Sequence, residues 1–204
     1  MVAALVVMSL AGVSMAARRV PALLKSHVGD GISYHGGAVL GGDIPVTLVW
    51  YGKFKPAQKA IVVDFLLSLT ATPPNATAPS AAQWWGAIAA GYLSSNATTA
   101  ARVVLANQTS DEEYSLGKSL TLVEVFQLAA GVVPDRGDLV VDAALEACSA
   151  CAGAYGSDSY PGYAGKVLVD ETTGGSYNAV GAHGRKYLLP AVYDPATSRC
   201  TTLV

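Results

Sequence analysis

The sequence predicts an α/β fold, a small sheet with flanking amphipathic helices, followed by a loop-rich, β-containing C-terminal tail. Three observations predict it. Residues 44–51 form a short run that is apolar on both alternating faces, the pattern of a strand covered on both sides. A helical periodicity begins at Pro56, so that strand is followed at once by a helix. From Ala152 onward, Gly, Tyr, Pro, Ser and Thr dominate and the apolar runs shorten, which marks turns and short strands.

The amino-terminal stretch "MVAALVVMSLAGVSMAARRV" carries no charge from Val2 to Ala16 and stops just before Arg18 and Arg19. It is too short to span a bilayer comfortably. Ser14 and Ala16 supply the small residues that a signal peptidase accepts, so cleavage is expected between Ala16 and Ala17. The n-region lacks the usual Lys or Arg, and a buried amino-terminal helix is the competing reading. Three of the four asparagines, Asn75, Asn96 and Asn107, stand in N-x-[ST] triplets, which independently points to the secretory route and to glycosylated surface loops.

In "YHGGAVLGGD" Gly37 and Gly42 have the spacing of a phosphate loop, but Asp43 and Ile44 occupy the places of the Lys and Ser/Thr that grip phosphate and Mg²⁺. The glycines also precede the strand, whereas a phosphate cradle lies between a strand and its helix. They are expected to be turn glycines with positive φ leading into the strand, with His35 structural. The strand itself alternates Ile44, Val46, Leu48 and Trp50 with Thr47, Val49 and Tyr51 and is expected to be central.

In "PAQKAIVVDFLLSL" the proline suits a first helical turn, and Ala57, Ile61, Phe65 and Leu69 form one stripe with Val62 and Leu66 beside it. Ser80 with Gln83 forms a capping box before a helix carrying Trp84, Trp85, Ile88 and Tyr92, and Thr121 with Glu124 forms another before a helix stopped by Gly131 and Pro134. Between them "ARVVLANQT" reads as a strand, and "DLVV" at 138–141 as a further one. "ETTGGS" reads as a turn between tail strands.

At 204 residues and 20.9 kDa the chain suits one domain with a real core. Hydrophobic residues make up 51% and charged residues 14%, yet the apolar residues are not gathered into membrane-length runs. The net charge of −2 is unchanged by removing residues 1–16 and leaves no basic surface for nucleic acid or anionic lipid.

No complete catalytic or metal set emerges. His27, His35, His183, Cys148, Cys151 and Cys200 are scattered, and there is no HExxH. Cys148 and Cys151 form a lone CxxC without a second pair; a disulfide is the default in a secreted chain, and three cysteines leave one unpaired. Ser176 in "GGSYN" misses the last glycine of a nucleophile elbow and lacks a following helix. His183 with Arg185 and Lys186 offers a proton-transfer group beside two cations, suited to an acidic sugar or phosphate; a solvated turn explains it more simply. Asp43, Asp64, Asp111, Glu112 and Glu113 are the carboxylates of the first half, and none is paired by spacing. The end, Thr202-Leu203-Val204, has the form of a PDZ ligand, a partner that an extracellular address removes. No cofactor is expected.

Three long phrases carry a resemblance: "YHGGAVLGGDIPVTLVWYGKFKPAQKAIVVDFLLSL", "SLGKSLT" and "YPGYAGKVLVDETTGGSYNAVGAHGRKYLLPAVYDPATSRCTTLV". In wording and order they resemble the plant EXORDIUM and phosphate-induced protein 1 family, from about Ile32 to Val204. The resemblance implies a secreted, non-enzymatic protein of the apoplast or cell wall, linked to brassinosteroid-responsive growth and cell expansion. The partner it implies is an apoplastic protein or glycan, with no nucleic acid and, after signal removal, no membrane.

The family's "SAC" cysteine corresponds to Cys151 and its near-terminal cysteine to Cys200, which implies a disulfide between them and makes Cys148 an addition. His183 falls where relatives often carry Asn. Relatives also carry a central block rich in Cys, Trp and Gly that is missing here, since "DLVV" runs almost directly into "DAALEACSAC". The expected organisation is therefore a signal peptide over 1–16 and one shortened domain over 17–204, its α/β part at about 32–142 and its tail at about 143–204. With the block gone, Trp84, Trp85 and the sheet edge are expected to be exposed. The alternative function is an extracellular hydrolase acting on wall glycan or peptide.

Overall fold

The computed structural model describes residues 4–9, 41–71, 79–93, 101–132, 148, 150–160, 162–194 and 197–204. Its centre is a three-stranded parallel sheet in the order β1 (Ala4–Ser9), β2 (Asp43–Tyr51), β3 (Arg102–Asp111). β2 is central and buried from Val46 to Tyr51, as its doubly apolar pattern requires. Gly42, at φ +67°, turns the chain into it, and its carbonyl accepts from the Arg102 N–H. Gly42 thus serves the strand, while Gly36 and Gly37 lie outside the described residues. At the next pair the Arg102 guanidinium grips Asp43 with two 2.8 Å hydrogen bonds. Val46 pairs with Leu105 and Thr47 with Asn107, so Ala106 is an extra residue that bulges β3.

The first 16 residues hold both the expected leader and β1. Paired parallel to β2 from Ala4↔Val46 to Ser9↔Tyr51, β1 gives the sheet its second edge.

Helix α1 (Pro56–Ser68) starts on the expected proline, with the Gln58 side chain accepting from the Lys55 N–H at 2.8 Å. Its buried stripe is rotated from the expected one. Ala57 is exposed and Ile61 is 44% exposed, whereas Val62, Phe65, Leu66 and Leu69 pack into the core. Helix α2 (Ala81–Ile88) is capped by the reciprocal Ser80–Gln83 bonds and runs on into a π-helical turn, Ala89–Leu93. Helix α3 (Leu122–Val132) is capped by Thr121 and Glu124 in the same way. Among the described residues no helix is long and apolar enough to cross a membrane.

The tail forms three antiparallel pairs: β4 (Leu168–Val169) with β5 (Ser176–Tyr177), β6 (Ala179–Val180) with β7 (Lys186–Tyr187), and β8 (Val192–Asp194) with β9 (Arg199–Thr201). "ETTGGS" is the turn between β4 and β5, as its composition predicts, with the Asp170 carboxylate accepting from the N–H groups of Thr172 and Thr173.

The tail is part of the core. Ala179, Leu189, Tyr187 and Leu203 pack with Val46, Leu48 and Trp50 of β2 and with Leu66 and Leu69 of α1. It covers the tryptophans expected to be exposed. Trp84 and Trp85 are half-buried, and their indole N–H groups donate to the carbonyls of Pro190 (2.8 Å) and Ala101 (3.1 Å). Exposed apolar side chains lie elsewhere, among them Leu122, Val123 and Phe126 of α3. Leu203 in the core also ties down the PDZ-like end.

Candidate functional site

The strongest cluster of titratable groups forms where α1 meets the turn between β6 and β7. Asp64 and Ser68, one helical turn apart, face residues 181–187. A Cβ on Gly181 would stand 2.6 Å from Ser68 Oγ and 2.8 Å from the Tyr187 ring, so a larger residue there would displace the side chains of the cluster. Ser68 is buried; its hydroxyl donates to the Asp64 carbonyl at 2.6 Å and accepts from the Ala182 N–H at 2.9 Å.

One carboxylate then receives three side chains. His183 Nδ1 lies 2.7 Å from Asp64 Oδ1, the Tyr187 hydroxyl donates to Oδ2 at 2.5 Å, and Arg185 Nε stands 3.5 Å from Oδ2. Burial pushes the Asp64 carboxyl up. The hydrogen bonds from Tyr187 and His183 and the charges of His183 and Arg185 outweigh it and hold the group below the usual carboxylate range. Burial raises Tyr187, and its bond to Asp64 raises it further, so the phenol stays neutral and donates. Phe65 closes the cluster, its ring centroid 5.4 Å from that of Tyr187.

Chemically the cluster is a carboxylate–imidazole acid–base pair. The imidazole is 69% exposed while Asp64 is only 13% exposed, so His183 presents its outer edge to solvent from a fixed carboxylate. The two hydroxyls within the cluster, those of Ser68 and Tyr187, are both committed to Asp64. Lys186 turns away to Asp170 at 2.6 Å. Its hydrogen bond and those of Thr172 and Thr173 hold Asp170 far below the usual range. The anion-binding reading of His183, Arg185 and Lys186 thus meets three groups already paired to carboxylates.

The other first-half carboxylates are dispersed. Asp43 holds Arg102, Glu113 lies 3.8 Å from Lys53, and Asp111 accepts from Ser115 and Glu113. Asp111 also borders a groove of about 320 Å³ between α3 and the carboxyl ends of β2 and β3, lined by Val49, Thr109, Leu116, Gln127 and Leu128. Among the described residues no three His, Cys, Asp or Glu side chains converge on a metal position. Ser176 lies in a two-residue strand, without the turn and helix that would aim it.

Cys151 and Cys200 are joined by a disulfide across a separation of 49 residues, and Cys148 is the free thiol, half-buried, with burial pushing its pKa up. Asn107 is exposed on β3. The cleavage position at Ala16 and Ala17, the sequons at Asn75 and Asn96, His27, His35 and the segment 138–141 lie outside the described residues.

Sequence reasoning missed two residues. The convergence on Asp64 left no sequence signal, because the partners are 119 to 123 positions away. Asn178, buried, bonds the carbonyls of Tyr155 and Leu189 and the N–H of Leu189, and so ties the tail strands together. Its signal was only that it is the one asparagine of four outside a sequon.

Comparison with known proteins gives the same family as the quoted phrases. The model of the phosphate-induced protein 1 conserved region matches residues 32–141 and 136–203. Protein PHOSPHATE-INDUCED 1 of Nicotiana tabacum is 34% identical over 97% of this chain and 96% of its own length. That alignment spans 301 positions against the 204 residues here, so about a hundred positions of the relative have no counterpart, in keeping with a missing internal block. Protein EXORDIUM of Arabidopsis thaliana is 33% identical, over 85% of this chain and 89% of its own length. No solved structure matches. With a family model covering most of its length and relatives above 30% identity aligned nearly end to end, the chain belongs to the phosphate-induced protein 1 and EXORDIUM family.

Proposed function

We propose that this chain is a secreted, non-enzymatic plant extracellular protein that acts in brassinosteroid-responsive growth and cell expansion through an apoplastic protein or glycan. The observation that carries the extracellular part is the Cys151–Cys200 disulfide, because such bonds persist in oxidising compartments and are rare in the cytosol. The leader-like residues 1–16 and the exposed sequon at Asn107 support the same address. The non-enzymatic part rests on the Asp64 cluster, whose hydroxyls are all spent on holding the tail to α1. Purified protein incubated with wall glycans and peptides, with and without chelator, is expected to leave every substrate intact.

The second reading, a hydrolase acting on wall glycan or peptide, has one observation in its favour. His183 is oriented by a mostly buried carboxylate and open to solvent, the posture of a general base. Turnover in the same incubation that disappears in His183→Ala would replace the first reading with this one.

A further inference from the structure

Residues 155–160 and 162–166 pair as the two arms of a tight hairpin that exposes two aromatic side chains, Tyr160 and Tyr163. The N–H groups of Tyr155 and Gly156 both donate to the Ala164 carbonyl, Lys166 N–H donates to Ser157, and Tyr160 and Tyr163 exchange hydrogen bonds of 3.1 and 2.8 Å across the tip. The sequence there is Tyr160-Pro161-Gly162-Tyr163, and Gly162 has φ +90°, a left-handed value that glycine adopts without strain.

The hairpin admits no slack. A Cβ on Gly156 would lie 2.0 Å from the Lys166 carbonyl oxygen, and one on Gly165 would lie 2.2 Å from that of Gly156. Its base is fixed by the Asn178 amide on the Tyr155 carbonyl and by the Ala191 N–H on the Ala154 carbonyl.

On this rigid base Tyr160 is 65% exposed and Tyr163 is 39% exposed, with ring centroids 5.1 Å apart at an interplanar angle of 37°. Tyr163 backs Tyr160, whose outer face is open to solvent. On the two arms of the hairpin, Asp158 and Lys166 meet at 2.6 Å, both exposed.

We propose that this hairpin is a carbohydrate-binding platform, on which a pyranose ring lays its C–H face against Tyr160 while Asp158 and Lys166 take its hydroxyls. An aromatic face is apolar and carries a partial negative charge, so it attracts the weakly polarised C–H groups of a sugar. A carboxylate beside it accepts from hydroxyls, and an ammonium donates to them. Tyr160 stands largely exposed at the hairpin tip, unlike the enclosed aromatic anchors that dominate protein–protein interfaces. Lys166 is neutralised by Asp158, which selects a neutral polysaccharide over an acidic one. Rigidity matters to affinity, because a preordered ring loses little freedom on binding. The choice of a wall polysaccharide as ligand rests on the extracellular reading above; the platform does not.

The test is isothermal titration of the purified full-length protein, and of Tyr160→Ala, Tyr160→Phe and Asp158→Ala, with xyloglucan oligosaccharide and cellohexaose, using polygalacturonate as the acidic comparison. The neutral sugars are expected to bind, with about a tenfold loss in Tyr160→Ala, retention in Tyr160→Phe and weakening in Asp158→Ala. Circular dichroism is expected to match across all four proteins, since the ring supports no core contact. No binding of neutral sugar, equal binding by Tyr160→Ala, or preference for polygalacturonate overturns the platform. Because the titration needs no secretion, failure of the protein to leave the cell would contradict the extracellular reading and leave the platform standing.

Discussion

At Asp64 one carboxylate joins α1 to a turn 119 residues later, and stability should follow its charge. Asp64→Ala leaves the Tyr187 hydroxyl without its acceptor and His183 and Arg185 without their carboxylate, an expected loss of about 1–3 kcal/mol in chemical denaturation. The pH dependence has a definite sign. The folded pKa lies below the ordinary carboxylate value, so this contribution is complete above about pH 4 and lost as pH falls through the lowered folded value. Wild-type protein should therefore lose stability on the acid side more steeply than Asp64→Ala; equal slopes would show that the carboxylate is not a clamp. Little of this was legible in the sequence. "AHGRKY" shows the donors, but nothing in their spacing names an acceptor in a distant helix, and burial, which decides the matter, is a property of the fold.

Among the elements, those specified by neighbours were readable, and those specified by distant packing were not. The capping boxes of Ser80 with Gln83 and Thr121 with Glu124 are reciprocal bonds within four residues, and both form where the sequence places them. The central strand was readable because residues covered on both faces must be apolar on both. The stripe of α1 came out rotated because the helix touches the sheet and the tail together, so Val62 and Leu66 are drawn inward and Ile61 is left 44% exposed. The tail read as loop with a little β structure because its strands are two or three residues long, too short for alternation to register. Ser80→Ala is expected to cost about 1 kcal/mol, visible as a lowered denaturation midpoint. An unchanged midpoint would mean that docking of α2 through Trp84 and Trp85, rather than its cap, fixes the start of that helix.

The molecule as a whole is a small parallel sheet closed by its own carboxyl-terminal tail. The disulfide anchors the last strand to the segment after Cys151, so Cys200→Ser is expected to lower stability by about 2–4 kcal/mol, whereas Cys148→Ser, which breaks no cross-link, should fold like the parent. Equal stability of all three proteins under non-reducing conditions would contradict the pairing. The amino terminus poses the larger question. Ala4–Ser9 pairs along β2, yet the same residues lie within the expected leader, and a removed leader cannot be an edge strand. If residues 1–16 are removed, β2 presents an open edge in addition to the exposed apolar residues of α3, and the mature protein should bind a hydrophobic dye and self-associate more than the full chain. The most direct measurement is therefore mass spectrometry of the protein recovered from the medium of expressing plant cells. A secreted extracellular protein is predicted to begin at Ala17 and to yield a non-reduced peptide pair linking Cys151 to Cys200. An intact Met1, retention in the cytosol or reduced cysteines throughout would contradict it.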